Sequence, residues 1–314
     1  MTKLASKRKL WFLISLLIII PGLVSIVFSG LKLGIDFTGG TLWEVRFSQP
    51  TEAAAIESAL LGAGVDTAIV QRSGPAADET FLIRMPEVRE GSERKAELAA
   101  ALQAQIGPFN ELEYSTVGGA VSTQIRNRAI IAVALASVGI LLYMAYAFRN
   151  TQNPLLYGAC ALVAMLHDVL LVLGVASILG ALIGLEVDAL FLTALLTVIS
   201  FSVHDTIVVF DRVRENLEHR RTGQRFEEIV NLSIVQTLTR SINTQLTVLL
   251  TLLALLLFGG ETIRDFILIL TIGLLSGTYS SIFNAAQLLV VWENGWGNDW
   301  RRVGNRDQPK HVTA

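Results

Sequence analysis

Six long stretches of apolar residues dominate the pattern of hydrophobic and polar positions along the chain. They lie at 10–29, 129–148, 155–176, 189–210, 240–258 and 266–292. Each is long enough for a helix that crosses a lipid bilayer, which needs about 20 mostly apolar residues. We therefore predict six membrane-spanning helices, the first at 10–29 and the other five within 129–292.

The first stretch follows a basic tail, as the core of a secretory signal peptide would. The tail of residues 1–9 contains Lys3, Lys7, Arg8 and Lys9. The apolar core that follows is longer than the ~7–15 residues of a signal-peptide core, and no A-x-A-like cleavage site comes after it. We interpret 10–29 as a membrane anchor that is retained.

Between the first and second spans, at 30–128, the pattern changes to that of a folded α+β domain. Strands are predicted at 41–47, 66–72, 79–85 and 110–117, and helices at 51–64 and 91–107. The order βαββαβ is typical of a ferredoxin-like sandwich. We therefore predict a membrane α-helical protein with one α+β ferredoxin-like domain between helices 1 and 2. This domain contains no His and no Cys, and its sequence indicates no catalytic chemistry.

Lys and Arg residues near the ends of the spans lie mostly on one side of the membrane. Fourteen of them occur in the N-terminal tail, the 149–154 turn, the 211–239 loop and the C-terminal tail of residues 293–314. The two short loops on the opposite side contain only Arg264. Because cytoplasmic loops are enriched in Lys and Arg, we predict that both termini are cytoplasmic. Residues 30–128 would then lie on the external, periplasmic side of the inner membrane.

The composition agrees with a membrane protein. Of the 314 residues, 52% are hydrophobic and 17% are charged, and the mean hydropathy is +0.53. These values are far from those of a typical soluble domain. The net charge of -2 gives no reason to expect a nucleic-acid partner, and the single cysteine, Cys160, excludes a disulfide within the chain.

Two His-Asp pairs interrupt the apolar spans, namely His167-Asp168 and His204-Asp205. A charged side chain at the bilayer centre costs at least ~2.5–3.5 kcal/mol, so such residues are functional candidates. We predict that both pairs, together with Arg240, take part in proton coupling. Adjacent helical residues diverge by 100°, so at most one member of each pair is expected to face the bundle axis. The four residues could hold zinc, but their spacing gives that interpretation little support, and we predict no metal.

Asp205 lies near the cytoplasmic end of the fourth span, and Arg240 lies at the start of the fifth. If the two helices are neighbours, the arginine can reach the carboxylate, and the ion pair would lower the cost of both charges. Two interpretations stay open. The pair is either structural, or it contains a carboxylate that binds and releases a proton.

Two of the spans carry a face of small and polar residues. In span five this face is Arg240, Asn243, Thr244, Thr247 and Thr251. In span six it is Gly273, Gly277, Ser280, Asn284 and Gln287. Such spacing is typical of close helix packing supported by hydrogen bonds between helices. It also defines a candidate polar path.

The 211–239 loop contains apolar residues at helical spacing, namely Phe226, Ile229, Val230, Ile234 and Leu238. This pattern predicts an amphipathic helix at the membrane interface. A solvated connecting helix fits the pattern equally well.

Four stretches resemble signatures of the SecD/SecF family of export membrane proteins, which belongs to the RND-like superfamily. GIDFTGG at 34–40 resembles the family's motif after the first span. The stretches 201–216, 238–260 and 273–282 resemble the fourth, fifth and sixth spans of the SecF members. The resemblance covers nearly the whole chain, with the matches in the correct order.

The resemblance implies a multi-pass subunit of the cytoplasmic membrane that pairs with SecD and is not an enzyme. Such a subunit assists the SecYEG channel and, indirectly, the SecA ATPase in moving unfolded polypeptides across the membrane, in contact with membrane lipids. The coupling ion would be the proton, with sodium as the alternative, and no other cofactor is implied. The family's intramembrane carboxylate falls on Asp205 and its fifth-span arginine on Arg240. Two rival interpretations are an RND-type transporter half for small molecules or lipids, and an inert scaffold.

Two positions depart from the family's usual pattern. His204 stands where the family usually has Asn, and Gly119 stands where it often has Pro. The motif at 34–40 also has a physical interpretation, since Gly34, Gly39 and Gly40 permit backbone conformations that other residues avoid. We predict that these glycines, with Asp36, form a shaped joint between the first span and the first strand.

Overall fold

The computed structural model describes residues 4–73, 78–149, 151, 153–260 and 263–294. The predicted C-terminal tail therefore lies outside the described residues, except for residues 293 and 294, as do the first three residues of the N-terminal tail. The chain divides into two compact units. One contains Leu33–Ile131 and Val187–Ala189, and the other contains the rest.

The described elements include the predicted helices and strands in the predicted order, together with a short additional helix, α2. The helices are α1 (Arg8–Ser29), α2 (Ile35–Thr38), α3 (Ala53–Gly62), α4 (Glu93–Gln105), α5 (Gly119–Ala147), α6 (Pro154–Ile183), α7 (Ala189–Glu218), α8 (Phe226–Phe258), α9 (Arg264–Ser280) and α10 (Ala286–Asn294). A π-helical segment, Ser281–Ala285, joins α9 to α10. The strands are β1 (Gly40–Phe47), β2 (Ile69–Ser73), β3 (Thr80–Met85) and β4 (Phe109–Val117).

Six helical stretches of the described chain are long and apolar enough to cross a membrane. They are α1, α5, α6, α7, α8 and the continuous stretch Arg264–Glu293. The predicted number of spans is confirmed. Helices α7 and α8 run beyond the predicted span ends, so most of the predicted 211–239 loop is helical.

The first half of α8 belongs to the core of the helical unit. Ile229, Val230 and Ile234 are fully buried. Val230 and Ile234 pack in one apolar cluster with Val209 and Val213 of α7. The segment is therefore neither an interfacial helix nor a solvated connection, because its apolar face is covered by α7 and by the end of the sixth span.

Helices α1 and α6 cross at a pair of glycines. A Cβ atom added to Gly22 would lie 2.7 Å from the Cα atom of Gly174, so neither position accepts a side chain. A hydrogen bond of 2.8 Å joins the hydroxyls of Ser25 and Ser177 close to this crossing. Close backbone approach with hydroxyl contacts is a common way for membrane helices to associate.

The second unit contains a four-stranded antiparallel sheet in the order β2-β3-β1-β4. The predicted βαββαβ order is found, with α3 after β1 and α4 after β3. Alternate residues of β1, namely Trp43, Val45 and Phe47, are buried against apolar residues of the two helices. Beside the sheet, the backbone N–H of Thr51 donates to Glu79, and this hydrogen bond lowers the pKa of the Glu79 carboxyl.

Candidate functional site

Asp168 of α6 lies where three helices of the bundle meet, and its side chain is fully buried. Its Oδ2 accepts hydrogen bonds of 2.5 Å from Ser202 of α7 and 2.5 Å from Ser280 of α9. Its Oδ1 accepts one of 2.6 Å from Ser276 of α9 and lies 3.0 Å from Nδ1 of His167. A carboxylate offers about four acceptor positions. All four positions of Asp168 therefore face a polar group of the protein.

The sequence of α9 explains how its two serines reach Asp168. Ser276 and Ser280 are one helical turn apart, so they lie on the same face. On the adjoining face, a Cβ atom added to Gly277 would lie 3.2 Å from Cα and Cβ of Ser202, and Gly273 lies directly against Val198. The absence of side chains at these glycines brings α7 close enough for Ser202 to reach the same carboxylate. The predicted packing face of span six thus includes this junction.

The polar contacts continue from this junction towards α1. The hydroxyl of Ser15 donates to Oδ1 of Asn284 at 2.8 Å, and that of Tyr279 donates to the Trp11 carbonyl at 2.7 Å. Asn284 lies in the π-helical segment that begins directly after Ser280. Single π-helical turns inside α-helices are frequent at functional sites.

The two members of the first His-Asp pair contact each other, although adjacent positions diverge on a helix. The His167 side chain is only 10% exposed and its imidazole reaches back to the Asp168 carboxylate. At most one member of each pair is expected to face the bundle axis, and in this pair both side chains are largely buried. The zinc interpretation gains nothing, since among the described residues no group of three or more His, Cys, Asp or Glu could hold a metal ion.

Asp205 of α7 is also buried, with 3% of its surface exposed, but its surroundings differ. Its Oδ2 accepts a hydrogen bond of 2.9 Å from Nε2 of Gln245 in α8. Among the described residues this is the one hydrogen bond made by the Asp205 carboxylate. The other end of the amide, Oε1 of Gln245, is buried and accepts no hydrogen bond from the described protein.

Within the described part of the chain, no ion pair joins Asp205 to Arg240, so the predicted direct contact is wrong. Arg240 is exposed on α8, and its charge acts on Asp205 only through space. The buried side of α8 carries Ser241 and Gln245 instead. Gln245 therefore occupies the place beside the carboxylate that the sequence analysis gave to the arginine.

The whole predicted polar face of span five is exposed in this chain. It comprises Arg240, Asn243, Thr244, Thr247 and Thr251. The Thr247 hydroxyl donates to the backbone carbonyl of Asn243 at 2.9 Å, within its own helix. His204 is exposed as well, whereas its neighbour Asp205 is buried. The close helix packing predicted for this face is not found among the described residues of this chain, and it stays a prediction.

The four residues predicted to form a joint all lie in the unit that contains the sheet. The Gly34 N–H donates to the Val187 carbonyl at 2.8 Å, and Oδ2 of Asp36 accepts from the Ala189 N–H at 2.8 Å. Gly39 and Gly40 have φ angles of +75° and +116°, which disfavour any other residue. The sequence analysis did not predict the short helix α2 between these glycines.

Sequence reasoning missed Ser202, Ser276 and Gln245. Ser276 and Ser280 have the i, i+4 spacing that could have predicted a shared ligand. Gln245 is a polar side chain within an apolar span. A polar residue in an apolar span is also the signal that identified Asp205 as a candidate.

The arrangement as a whole is that of a polytopic membrane protein of the transport type. It contains six candidate spans and two carboxylates buried among them. A family profile described as "Protein export membrane protein SecD/SecF, C-terminal" matches residues 98–295. A second profile, "SecD/SecF GG Motif", matches residues 24–51. The chain belongs to the SecD/SecF family of protein export membrane proteins.

Individual relatives agree with this assignment and confirm the resemblance read from the sequence. The protein translocase subunit SecF of Thermobaculum terrenum is 53% identical over 310 residues, which is 96% of each chain. The SecF subunit of Pseudomonas aeruginosa is 37% identical over 289 residues, covering 91% of this chain and 90% of its own. The crystal structure of SecDF from Thermus thermophilus, a translocon-associated membrane protein, superimposes with a TM-score of 0.79 at 34% identity. That match covers 92% of this chain and 38% of the longer SecDF chain.

Proposed function

We propose that this chain is the SecF subunit of a complex with SecD that assists protein export across the cytoplasmic membrane. Full-length relatives that carry the SecF name support this proposal, as do SecDF relatives in which this chain corresponds to 35–38% of the length. We also propose that a proton bound at Asp205 couples export to the proton gradient. The unit that contains the sheet would be a ferredoxin-like domain on the external side, and both termini would be cytoplasmic.

The observation that carries the proton proposal is the single hydrogen bond of the buried Asp205 carboxylate. In the ionised state it accepts from Nε2 of Gln245. In the protonated state its O–H can donate to Oε1 of the same amide, which is buried and without a protein partner. An amide is both donor and acceptor. Gln245 can therefore hydrogen-bond the carboxyl group in either state, as a donor to the carboxylate and as an acceptor from the protonated acid.

Protonation of Asp205 removes the negative charge that Arg240 faces. The electrostatic attraction between Asp205 and Arg240 is present in the ionised state. It is lost when the carboxyl is neutral, and we propose that α7 and α8 then repack and the external domain moves. The gradient supplies ~2.3 kcal/mol per 100 mV for each proton, plus ~1.4 kcal/mol per pH unit. That is sufficient for a population shift of roughly a hundredfold.

The exposed polar face of α8 fits a SecD-like partner. Lipid tails cannot satisfy the amide of Asn243 or the guanidinium of Arg240, whereas another polar membrane helix can. Both residues are exposed in this chain. We propose that a membrane helix of the partner covers this face and keeps the Arg240 charge near Asp205.

The proposal is tested with the full chain and its SecD-like partner in vesicles of controlled proton gradient. Export by Asp205→Asn should lose its dependence on the gradient, while insertion and partner binding are retained. The matched control is Asp211→Asn on the same helix, because Asp211 is exposed and paired with Arg214. If export by Asp205→Asn and by Asp211→Asn depends equally on the gradient, the proton proposal is wrong and the chain is an inert scaffold. If a sodium gradient alone drives export by the unsubstituted protein, the coupling ion is sodium rather than the proton, and Asp205 is still the proposed site.

A further inference from the structure

Three side chains of α6 and the sixth span end in buried polar atoms that have no hydrogen-bond partner within the described protein. The atoms are Nε2 of His167, Nδ2 of Asn284, and both Nε2 and Oε1 of Gln287. Asn284 and Gln287 are 4% and 0% exposed, and the His167 side chain is 10% exposed. Buried polar groups of native proteins nearly always have a partner, either in the protein or in ordered water. These atoms therefore require a partner that is not a residue of the described chain.

Observed contacts place the three side chains in one region of the helical unit, between α1, α6 and the sixth span. The Ser15 hydroxyl of α1 lies 2.8 Å from Oδ1 of Asn284 and 3.3 Å from the Tyr279 hydroxyl. The rings of Tyr279 and His167 lie next to each other, with 6.3 Å between their centroids. Gln287 is three positions after Asn284, on the same helical face and about 4.5 Å further along the helix axis. The polar atoms thus form one line along the sixth span.

Aromatic rings lie beside this line, but they offer the unpaired atoms no hydrogen bond. Trp11 of α1 packs on Phe283 with 4.2 Å between the ring centroids, and Phe283 packs on Tyr279 with 5.2 Å. The indole N–H of Trp11 donates to the Leu4 carbonyl at 3.1 Å. The Tyr279 hydroxyl donates to the Trp11 carbonyl at 2.7 Å. The polar atoms of these rings are therefore already engaged.

The chemistry of the unpaired atoms identifies the ligand that fits them. The two amide nitrogens of Asn284 and Gln287 are donors, Oε1 of Gln287 is an acceptor, and Nε2 of His167 is either, depending on its tautomer. A cation cannot accept the amide N–H groups, a simple anion cannot donate to Oε1, and a lipid tail can do neither. Water does both, and a buried water typically makes about three hydrogen bonds to polar groups that are otherwise unsatisfied.

We propose that internal water molecules bind between α1, α6 and the sixth span, at Asn284, Gln287 and His167. The water bridges the two amides and is the partner of the imidazole nitrogen that faces away from Asp168. Hydrogen bonds through water are nearly as favourable in enthalpy as direct ones, so this site adds to the contact between α1 and the sixth span. It includes neither Asp205 nor the amide beside it, and it stands independently of the proposed function.

X-ray hydroxyl-radical footprinting with mass spectrometry tests the site in the full chain with its partner in lipid vesicles. Radiolysis of a bound water produces a radical that modifies the nearest side chains, here Tyr279 and Phe283. Both rings should be modified in the unsubstituted protein. In Asn284→Leu and in Gln287→Leu their modification should fall towards that of Phe210, which is fully buried in an apolar cluster.

The matched control is Gln236→Leu, which removes an amide from the exposed side of α8 and should leave the modification of both rings unchanged. The site is overturned if Phe283 in the unsubstituted protein is modified no more than Phe210. It is also overturned if the modification of Phe283 is the same in Asn284→Leu and Gln287→Leu as in Gln236→Leu.

A second measurement needs no substitution, and it decides the matter even if both leucine variants fail to fold. It is a structure of the unsubstituted complex at a resolution that shows ordered water. We expect water density within hydrogen-bond distance of the Gln287 amide. A side chain of the partner subunit or a lipid in that place would overturn the site.

Discussion

Asp168 and Asp205 are both buried among the membrane spans, but they are built into the bundle in opposite ways. Asp168 faces three hydroxyls and an imidazole, which occupy all its acceptor positions. Asp205 accepts one hydrogen bond, from an amide whose oxygen is free of protein partners. The comparison shows that two buried carboxylates of one helical bundle can differ widely in the number of their hydrogen-bond partners. In the proposed function, the carboxylate with a single hydrogen-bond partner, Asp205, is the one that binds the proton.

The two sites are also connected through one helix. Ser202, which donates to Asp168, lies three residues before Asp205 on α7. The saturated carboxylate thus fixes α7 against α6 and α9 near the group that is proposed to titrate. We interpret Asp168 as a fixed junction between these helices.

The largest effect is expected from Asp168→Ala. The change leaves three hydroxyls and one imidazole buried without their common acceptor. Breaking a buried charged network by removing one partner costs about 3–5 kcal/mol. The free energy of unfolding of the complex in detergent should fall by that amount. Asp211→Ala on the exposed side of α7 is the control, and equal stability of the two variants would contradict the junction.

The next largest effect is expected where α9 packs against α7 and brings Ser202 to Asp168. Gly277→Ala places a methyl group against Ser202 and should cost about 1–3 kcal/mol, as overpacking usually does. Gly139→Ala in α5 is the matched control, because nothing lies within 4 Å of a Cβ atom there. The measurement is again the free energy of unfolding. A Gly277→Ala protein as stable as Gly139→Ala would show that the helices can separate without cost.

A smaller effect is expected at the amide beside Asp205. Gln245→Leu removes both the donor and the acceptor, so stability should fall by about 1 kcal/mol. Gradient-dependent export should fall by about tenfold, because neither charge state of Asp205 keeps its partner. Gln245→Asn shortens the amide and serves as a graded comparison. Full export by Gln245→Leu would mean that the amide has no part in proton transfer.

The smallest effect is expected at His204. The side chain is exposed, whereas that of Asp205 is buried. His204→Asn should change the free energy of unfolding by no more than about 0.5 kcal/mol, as is usual for surface positions. Most of the gradient-dependent export should be retained. If export is abolished, the imidazole takes part in proton transfer. The hydrogen-bond partners of the two aspartates would then not account for proton transfer by themselves.

The spans and the strand order could be predicted because both are encoded in patterns along the chain. Apolar length predicts the spans, and alternation predicts strands such as β1, whose buried residues Trp43, Val45 and Phe47 alternate as expected. The contacts of the two aspartates could not be predicted, since they depend on how each helix is rotated. Arg240 and Gln245 are separated by about 140° around α8 at 100° per residue. Arg240 was predicted beside Asp205 because the two residues lie at a similar depth in the membrane. The rotation of α8 about its axis instead places Gln245 beside Asp205.

The junction at Asp168 was missed for a related reason. Its donors come from α7 and α9, and they are 34, 108 and 112 residues away along the chain. Single serines are common in membrane spans, so Ser202 and Ser276 gave no separate signal. Only the packing of three helices, permitted by Gly273 and Gly277, brings them to one carboxylate.

Infrared difference spectroscopy between high and low pH tests the central claim most directly. It detects the carbonyl stretch of a carboxylic acid, which appears only when a carboxylate takes up a proton. We predict that the reconstituted complex shows such a band, that Asp205→Asn removes it, and that it persists in Asp168→Asn protein that remains folded. A band that persists in Asp205→Asn and disappears in Asp168→Asn would contradict the account.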